Sequence, residues 1–264
     1  MKISFSKYQG TGNDFVIIDN RQNNIVLTTE QIAFICDRKK GIGADGLMLL
    51  GNKEGYDFEM IYYNANGLEG SMCGNGGRCL TQFAYDIGLN KKQFNFIAID
   101  GPHEATINED GWVYLKMSDV NAVEKNIDSD TPFFVLNTGS PHYIEMVDSI
   151  NSVDVFGLGQ MIRFNDRFKS EGINVNFVEQ QDDKIFVRTY ERGVENETLS
   201  CGTGVTAAAI AHSNTDIGKF DIAIKTRGGD LSVQFEKTSP THAIQVWLKG
   251  ETQLVFTGKI TLPS

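Results

Sequence analysis

The sequence predicts an α+β protein made of two similar domains that face one another. Three observations predict it. Short strand-like runs between Gly, Asn and Asp turns outnumber the helical stretches, the second half repeats the plan of the first, and a polar, charged stretch at 118–130 separates the halves. With 264 residues, 41% hydrophobic and 10% aromatic, the chain has enough apolar mass to fill two cores. The expected division is 1–119, completed by a closing strand within 253–264, and 120–252.

Taken in order, the amino terminus Met1-Lys2-Ile3-Ser4-Phe5-Ser6-Lys7-Tyr8 alternates as a strand and lacks the long apolar stretch of a secretory signal. Further strands are expected at 15–19, 47–50, 57–62, 94–99, 113–117, 185–190, 221–225 and 244–248, with a last one at 253–260. Helices are expected at 29–39, opened by a Thr cap, at about 76–87, and in the Ala-rich stretch at about 203–212. The repeat shows in matching landmarks. Ser71-Met72-Cys73-Gly74-Asn75-Gly76 opens one helix and Leu199-Ser200-Cys201-Gly202-Thr203-Gly204 opens another. Gly101 and Gly229 each follow their cysteine by 28 residues, and the later strands read Trp112-Val113-Tyr114-Leu115-Lys116 and Gln245-Val246-Trp247-Leu248-Lys249.

Composition narrows the function. A net charge of −10 without a basic cluster argues against nucleic acid, whose phosphates demand concentrated Lys and Arg. The longest apolar runs, such as Phe133-Phe134-Val135-Leu136, fall far short of the roughly 20 residues a membrane-spanning helix needs. Cys36, Cys73, Cys79 and Cys201 have neither zinc-site spacing nor the density of a disulfide-stapled secreted domain. Free thiols in a cytoplasmic protein are expected.

Two of these cysteines carry the chemistry. Each Cys-Gly-x-Gly stands where a strand or loop becomes a helix, so the glycines permit a tight turn and the helix end offers unpaired amides to an anion. The helix dipole also stabilises a thiolate there, below the free thiol value of about 8.5. One such cysteine is usually a small buried residue. Two equivalent ones on two facing domains could approach a single carbon from opposite faces, while both helix ends hold the carboxylate attached to it. That arrangement removes a proton from one face, returns one to the other, and stabilises the charge that develops between. Cys36 and Cys79, inside helices, are expected to pack in cores.

The motifs resemble those of the diaminopimelate epimerase family, in order and over essentially the whole chain. They are Lys7-Tyr8-Gln9-Gly10-Thr11-Gly12-Asn13-Asp14-Phe15, Gly41-Ile42-Gly43-Ala44-Asp45-Gly46, Tyr63-Asn64-Ala65-Asn66-Gly67, Met72-Cys73-Gly74-Asn75-Gly76, Gly139-Ser140-Pro141-His142, Gly172-Ile173-Asn174-Val175, Tyr190-Glu191-Arg192-Gly193 and Leu199-Ser200-Cys201-Gly202-Thr203-Gly204. The resemblance implies that each domain wraps a mixed, barrel-like sheet around a central helix, with the active site in the cleft between the domains. It implies interconversion of L,L- and meso-diaminopimelate without pyridoxal phosphate, metal or other cofactor, in lysine and peptidoglycan-precursor synthesis, by a protein for which homodimers are common. Carried over by residue, Cys73 and Cys201 look like the paired acid and base. Gly74-Asn75 and Gly202-Thr203 look like the amides that hold the reacting carboxylate. Asn13, Asn64, Asn174, Glu191 and Arg192 look like substrate-holding residues, with Arg192 suited to a bidentate grip on the distal carboxylate. His142 and Glu191 match positions that tune the thiols. Asp14 and Asp45 read as turn and loop structure. Ser140 stands where many members have Asn, and Gly46 where some have Gln.

The nearest alternative is a proline or hydroxyproline racemase, but that family typically has His where this chain has Asn75 and lacks the Glu191-Arg192-Gly193 lead-in. An amino-acid-binding protein with two anion sites, and a thiol redox protein cycling through a Cys73–Cys201 disulfide, are alternatives from other classes.

Overall fold

A computed structural model describes residues 1–126 and 131–262, so part of the stretch read as the domain boundary, 127–130, lies outside the described residues. The chain divides into two compact units, Met1–Leu115 with Gly250–Ser264, and Lys116–Lys249.

In the first unit β1 (Lys2–Gly10) and β2 (Asn13–Asp19) form an antiparallel hairpin. Helix α1 (Thr29–Cys36) crosses over to β3 (Gly46–Gly51), which lies parallel to β2, and β4 (Phe58–Asn64) returns antiparallel. Helix α2 (Gly74–Ala84) then leads to β5 (Gln93–Ala98), parallel to β4, and β6 (Gly101–Ile107) and β7 (Val113–Lys116) follow antiparallel. A helix precedes each parallel pairing because parallel strands need a long crossover.

The second unit repeats this order. It has β8 (Val123–Asn126), then β9 (Phe133–Asn137) antiparallel to β10 (Pro141–Met146). Helix α3 (Val155–Arg163) crosses to β11 (Asn174–Gln181), parallel to β10, and β12 (Lys184–Glu191) returns antiparallel. After the short β13 (Asn196–Thr198), α4 (Gly202–His212) leads to β14 (Gly218–Thr226), parallel to β12. Then come β15 (Gly229–Ser239), antiparallel to β14, and β16 (His242–Gly250). The last strand, β17 (Gln253–Thr261), pairs antiparallel with β1, as β8 does with β9.

Within each unit the sheet wraps a central helix. Helix α2 packs on β1, β2, β3, β4 and β6, and α4 on β9, β10, β11, β12, β14 and β15. All of α2 except Gln82, and all of α4 except Thr203 and His212, are buried. A helix buried on every face is favoured by small or apolar residues, which explains the glycines of one and the alanines of the other, with Arg78 of α2 the charged exception. A Cβ at Gly76 would come within 3.3 Å of Met48 Sδ, and one at Gly204 within 2.4 Å of Asn176 Oδ1.

Strands β6, β8, β9, β10, β11, β13 and β15 were not among those expected, and three helices differ from the sequence reading. Helix α1 stops at Cys36 rather than at 39, because the Asp37 side chain accepts from the amides of Lys39 and Lys40 at 2.7 and 2.8 Å and turns the chain. Helix α2 begins at Gly74, two residues earlier than expected, and runs into a π-helical turn at Tyr85–Leu89. Helix α3 was not expected, since Gly157 and Gly159 weaken its signal. Gly159 is there for packing, as a Cβ would lie 2.4 Å from that of Tyr190.

Candidate active site

Cys73 and Cys201 hold the same place in the two units, as the N-cap residues of α2 and α4. Both backbones are extended, with φ −96° and ψ 128° at Cys73 and φ −122° and ψ 112° at Cys201, and neither side chain caps its helix. The first-turn amides that follow, at Gly74-Asn75 and Gly202-Thr203, have no acceptor within their helices.

Around Cys73 the support is ionic. Its Sγ donates to Asn13 Oδ1 at 3.6 Å, and the Asn13 amide donates in turn to Asp45. Asp45 also accepts from the Asp14 amide at 3.2 Å, and Arg38 bonds both carboxylates, at 2.7 and 3.0 Å to Asp14 and 2.9 Å to Asp45. Lys7 Nζ lies 2.8 Å from Asp14. Burial pushes the Asp14 carboxyl up, but hydrogen bonds and charge from Arg38 and Lys7 outweigh it and hold the group down at about 2. Asp45, read from sequence as loop structure, therefore fixes which way the Asn13 amide faces the thiol. Asn64, at the exposed end of β4, donates back to Leu68 O at 3.5 Å. At Gly46 a Cβ would lie 2.5 Å from the Tyr62 ring, so no glutamine fits there.

Around Cys201 the support is a chain of neutral hydrogen bonds. Cys201 Sγ lies 3.5 Å from Thr203 Oγ1, which lies 2.9 Å from His142 Nε2. Ser140 Oγ closes the group, 2.9 Å from His142 Nε2 and 3.1 Å from Thr203 Oγ1. Asn176 Nδ2 donates to Tyr143 O at 3.0 Å and to His142 Nδ1 at 3.1 Å, while Asn176 Oδ1 accepts from Thr189 at 2.8 Å. With Nδ1 accepting, the imidazole carries its hydrogen on Nε2 and donates it toward the Thr203 and Ser140 hydroxyls. His142 is fully buried; burial first, then the charge of Arg192, holds it down at about 3, so it is neutral at ordinary pH. Asn174, also buried, donates to Ser140 Oγ at 3.1 Å and accepts from the Arg192 amide at 2.8 Å. The Arg192 side chain is exposed and donates to Glu171 O at 2.9 Å, and Glu191, partly buried, ends β12.

The remaining thiols are core residues. Burial pushes Cys36 up to about 11 and Cys79 up to about 12. Two residues escaped the sequence reading. Asn176 sets the His142 tautomer, and Arg78 places a fully buried guanidinium in the middle of α2. A charged residue in a helix with no polar face was the signal for Arg78, because Arg is almost never fully buried without a partner. Among the described residues no group of three or more His, Cys, Asp and Glu is gathered as a metal site, and no helix is long and apolar enough to cross a membrane.

Residues 5–123 and 134–255 match the family model described as diaminopimelate epimerase. A diaminopimelate epimerase of Flavobacterium psychrophilum is 48% identical over 253 residues, covering 95% of this chain and 97% of that protein. One from Chlorobaculum tepidum is 40% identical, covering 96% and 99%. Among solved structures, a phenazine biosynthesis protein of the PhzF family from Bacillus anthracis superposes with a TM-score of 0.77 at 16% identity, over 99% of both chains, a likeness of fold alone.

Proposed function

Because this chain belongs to the diaminopimelate epimerase family of isomerases, we propose that it interconverts L,L- and meso-diaminopimelate by two-base proton transfer between Cys73 and Cys201. The observation that carries the reading is the matched placement of the two thiols. Each stands at the N-terminus of a buried central helix, where first-turn amides and the helix dipole favour an anion.

In the proposed reaction one cysteine enters as thiolate and the other as thiol. The thiolate takes the α-proton, the electron pair left on carbon delocalises into the α-carboxylate, and the thiol delivers its proton to the opposite face. The enzyme leaves with the two protonation states exchanged, and the reverse reaction begins from that state. The amides of Gly74-Asn75 and Gly202-Thr203 hold the carboxylate and stabilise its developing charge. Asn13, Asn64, Asn174 and Glu191 orient the substrate, and the exposed Arg192 binds the distal carboxylate. His142, held neutral, acts on Cys201 through Thr203. No cofactor takes part in this scheme.

The setting proposed is lysine and peptidoglycan-precursor synthesis in the cytoplasm, in a homodimer. An apolar run on β17, exposed at Leu254, Val255 and Phe256, supports self-association.

The test is incubation of reduced protein with L,L-diaminopimelate in deuterated water. Meso product carrying α-deuterium is expected from the wild type and none from Cys73→Ala or Cys201→Ala. Absence of α-exchange in the wild type would reject the reaction, and undiminished epimerisation by either variant would reject the two-thiol mechanism.

A further inference from the structure

Strands β12 and β13 pair Glu191 with Asn196, so Arg192, Gly193, Val194 and Glu195 form the loop of a hairpin. Its first residue is the exposed Arg192, proposed above to grip the distal carboxylate. Glu195 closes the loop, with its amide donating to Glu191 O at 2.8 Å and its backbone left-handed at φ +54°. Gly193, at φ +90°, takes a positive φ without strain, and Asn or Asp does so more easily than a glutamate. An unfavourable backbone of this kind persists only where its surroundings hold it, and such residues gather at sites that grip ligands.

The Glu195 carboxylate makes three contacts that hold it. Oε1 accepts from the Gly193 amide at 3.1 Å, across the loop itself. Oε2 accepts from the Tyr190 hydroxyl at 3.1 Å. Tyr190 is at 0% exposure in a core with Val155, Ile173 and Phe177, so its hydroxyl is a fixed point. Oε1 also lies 3.5 Å from Nε of Arg163, the last residue of α3. Arg163 Nε and Nη1 are buried without a hydrogen-bond partner, and the carboxylate is the charge that answers this guanidinium. Arg163 in turn stands beside Arg192. A Cβ on Gly172 would lie 2.6 Å from Arg192 Cδ and 2.7 Å from Arg163 Cζ, so the stem of one and the guanidinium of the other pack at one point. Glu195 therefore answers a cation that would otherwise repel Arg192. The other ties on Arg192 are its amide, which donates to Asn174 Oδ1 at 2.8 Å, and its guanidinium, which donates to Glu171 O at 2.9 Å.

We infer that Glu195 is a positioning residue: its carboxylate ties the 192–195 loop to the core and to Arg163, and so sets where the Arg192 guanidinium stands for the distal carboxylate of the substrate. The use made of the ordered loop rests on the proposed epimerase reaction, whereas the order itself does not.

The experiment compares wild type with Glu195→Asn, by amide hydrogen exchange of substrate-free protein followed in peptides, and by steady-state kinetics on L,L-diaminopimelate. Asn accepts the left-handed backbone, but it is uncharged and one methylene too short for the same contacts, so it separates the carboxylate from the φ angle. The peptide holding residues 190–196 is expected to exchange about tenfold faster or more while peptides of α4 stay unchanged. KM should rise about tenfold with kcat falling less than threefold, as for a lost grip on the substrate. Glu195→Gln, which keeps the reach and loses the charge, should fall between the two. Tyr190→Phe, which removes one hydroxyl and keeps the ring, should raise KM by a smaller factor. Wild-type exchange of the loop in Glu195→Asn would overturn the inference, and so would a loosened loop with an unchanged KM, or a kcat that falls as far as KM rises. If Glu195→Asn does not fold, Tyr190→Phe decides, and wild-type loop exchange and KM in that variant overturn it. A wild type without α-deuterium exchange would sink the epimerase reading, and loop exchange would still decide whether Glu195 holds the loop.

Discussion

The two cysteine sites share a strand order, a helix and a cap position, and differ in what stands behind the thiol. Cys73 is backed by Asn13 and by an Asp14–Asp45–Arg38–Lys7 ionic network. Cys201 is backed by hydroxyls and a neutral imidazole, through Thr203, Ser140 and His142. The duplicated fold places two equivalent thiols, and a few side chains make them unequal. In the proposed two-base reaction one thiol starts charged and the other neutral, and the forward and reverse directions need opposite assignments, so the surroundings must tolerate both.

The most severe way to break the comparison is to delete one side of it. Cys73→Ala and Cys201→Ala should each lower kcat for epimerisation by about 10³-fold or more, at or above the middle of the range for a positioned acid or base. Equal losses are expected despite the unequal surroundings, because both proton transfers belong to one turnover. A variant that kept a tenth of wild-type kcat would mean that its thiol is not one of the pair.

A smaller loss should come from cutting the neutral relay and leaving the thiol. Thr203→Val keeps the shape and removes the hydroxyl between Cys201 and His142, and a drop of about 10- to 100-fold in kcat with little change in KM is expected. No parallel loss should come from Thr206→Val, whose hydroxyl bonds the helix carbonyl of Gly202. Steady-state kinetics on the two variants separates a relay from general disturbance of α4.

Much of this was legible in the sequence, for physical reasons. The thiols could be found because Cys-Gly-x-Gly at a helix start has a local backbone cause, and because the motif recurs with Gly101 and Gly229 at equal distance. Strands such as β3, buried on both faces, show as unbroken apolar runs. Helix α3 was illegible because Gly157 makes room for the Asp154 cap and Gly159 for long-range packing against Tyr190, and neither follows local propensity. For the same reason the partners of Asn13 and His142 could not be read. Asp45 lies 32 residues from Asn13, and Asn176 lies 34 from His142, and only the sheet brings them together. Arg78 alone was within reach, as a charge in a helix whose neighbours are Gly, Cys and Leu.

The finest expected effect concerns acid stability, where the two surroundings should fail at different pH. His142 is held at about 3 when folded, against about 6.5 for a free imidazole, so between these values the unfolded chain binds the extra proton. Its contribution is complete above about 6.5 and is lost as pH falls, with a slope approaching about 1.4 kcal/mol per pH unit. Asp14 is held at about 2, against about 3.9 when unfolded, so its contribution is complete above about 4 and is lost only as pH falls toward 2. Denaturant melts at pH 7, 6, 5 and 4.5 should therefore show a decline that His142→Gln flattens and Asp14→Asn leaves in place. His212, also pushed down by burial, leaves a decline of its own in that window, so the outcome that would sink this reading is a His142→Gln slope no shallower than that of the wild type, which would mean that the His142 imidazole is not held neutral by its surroundings.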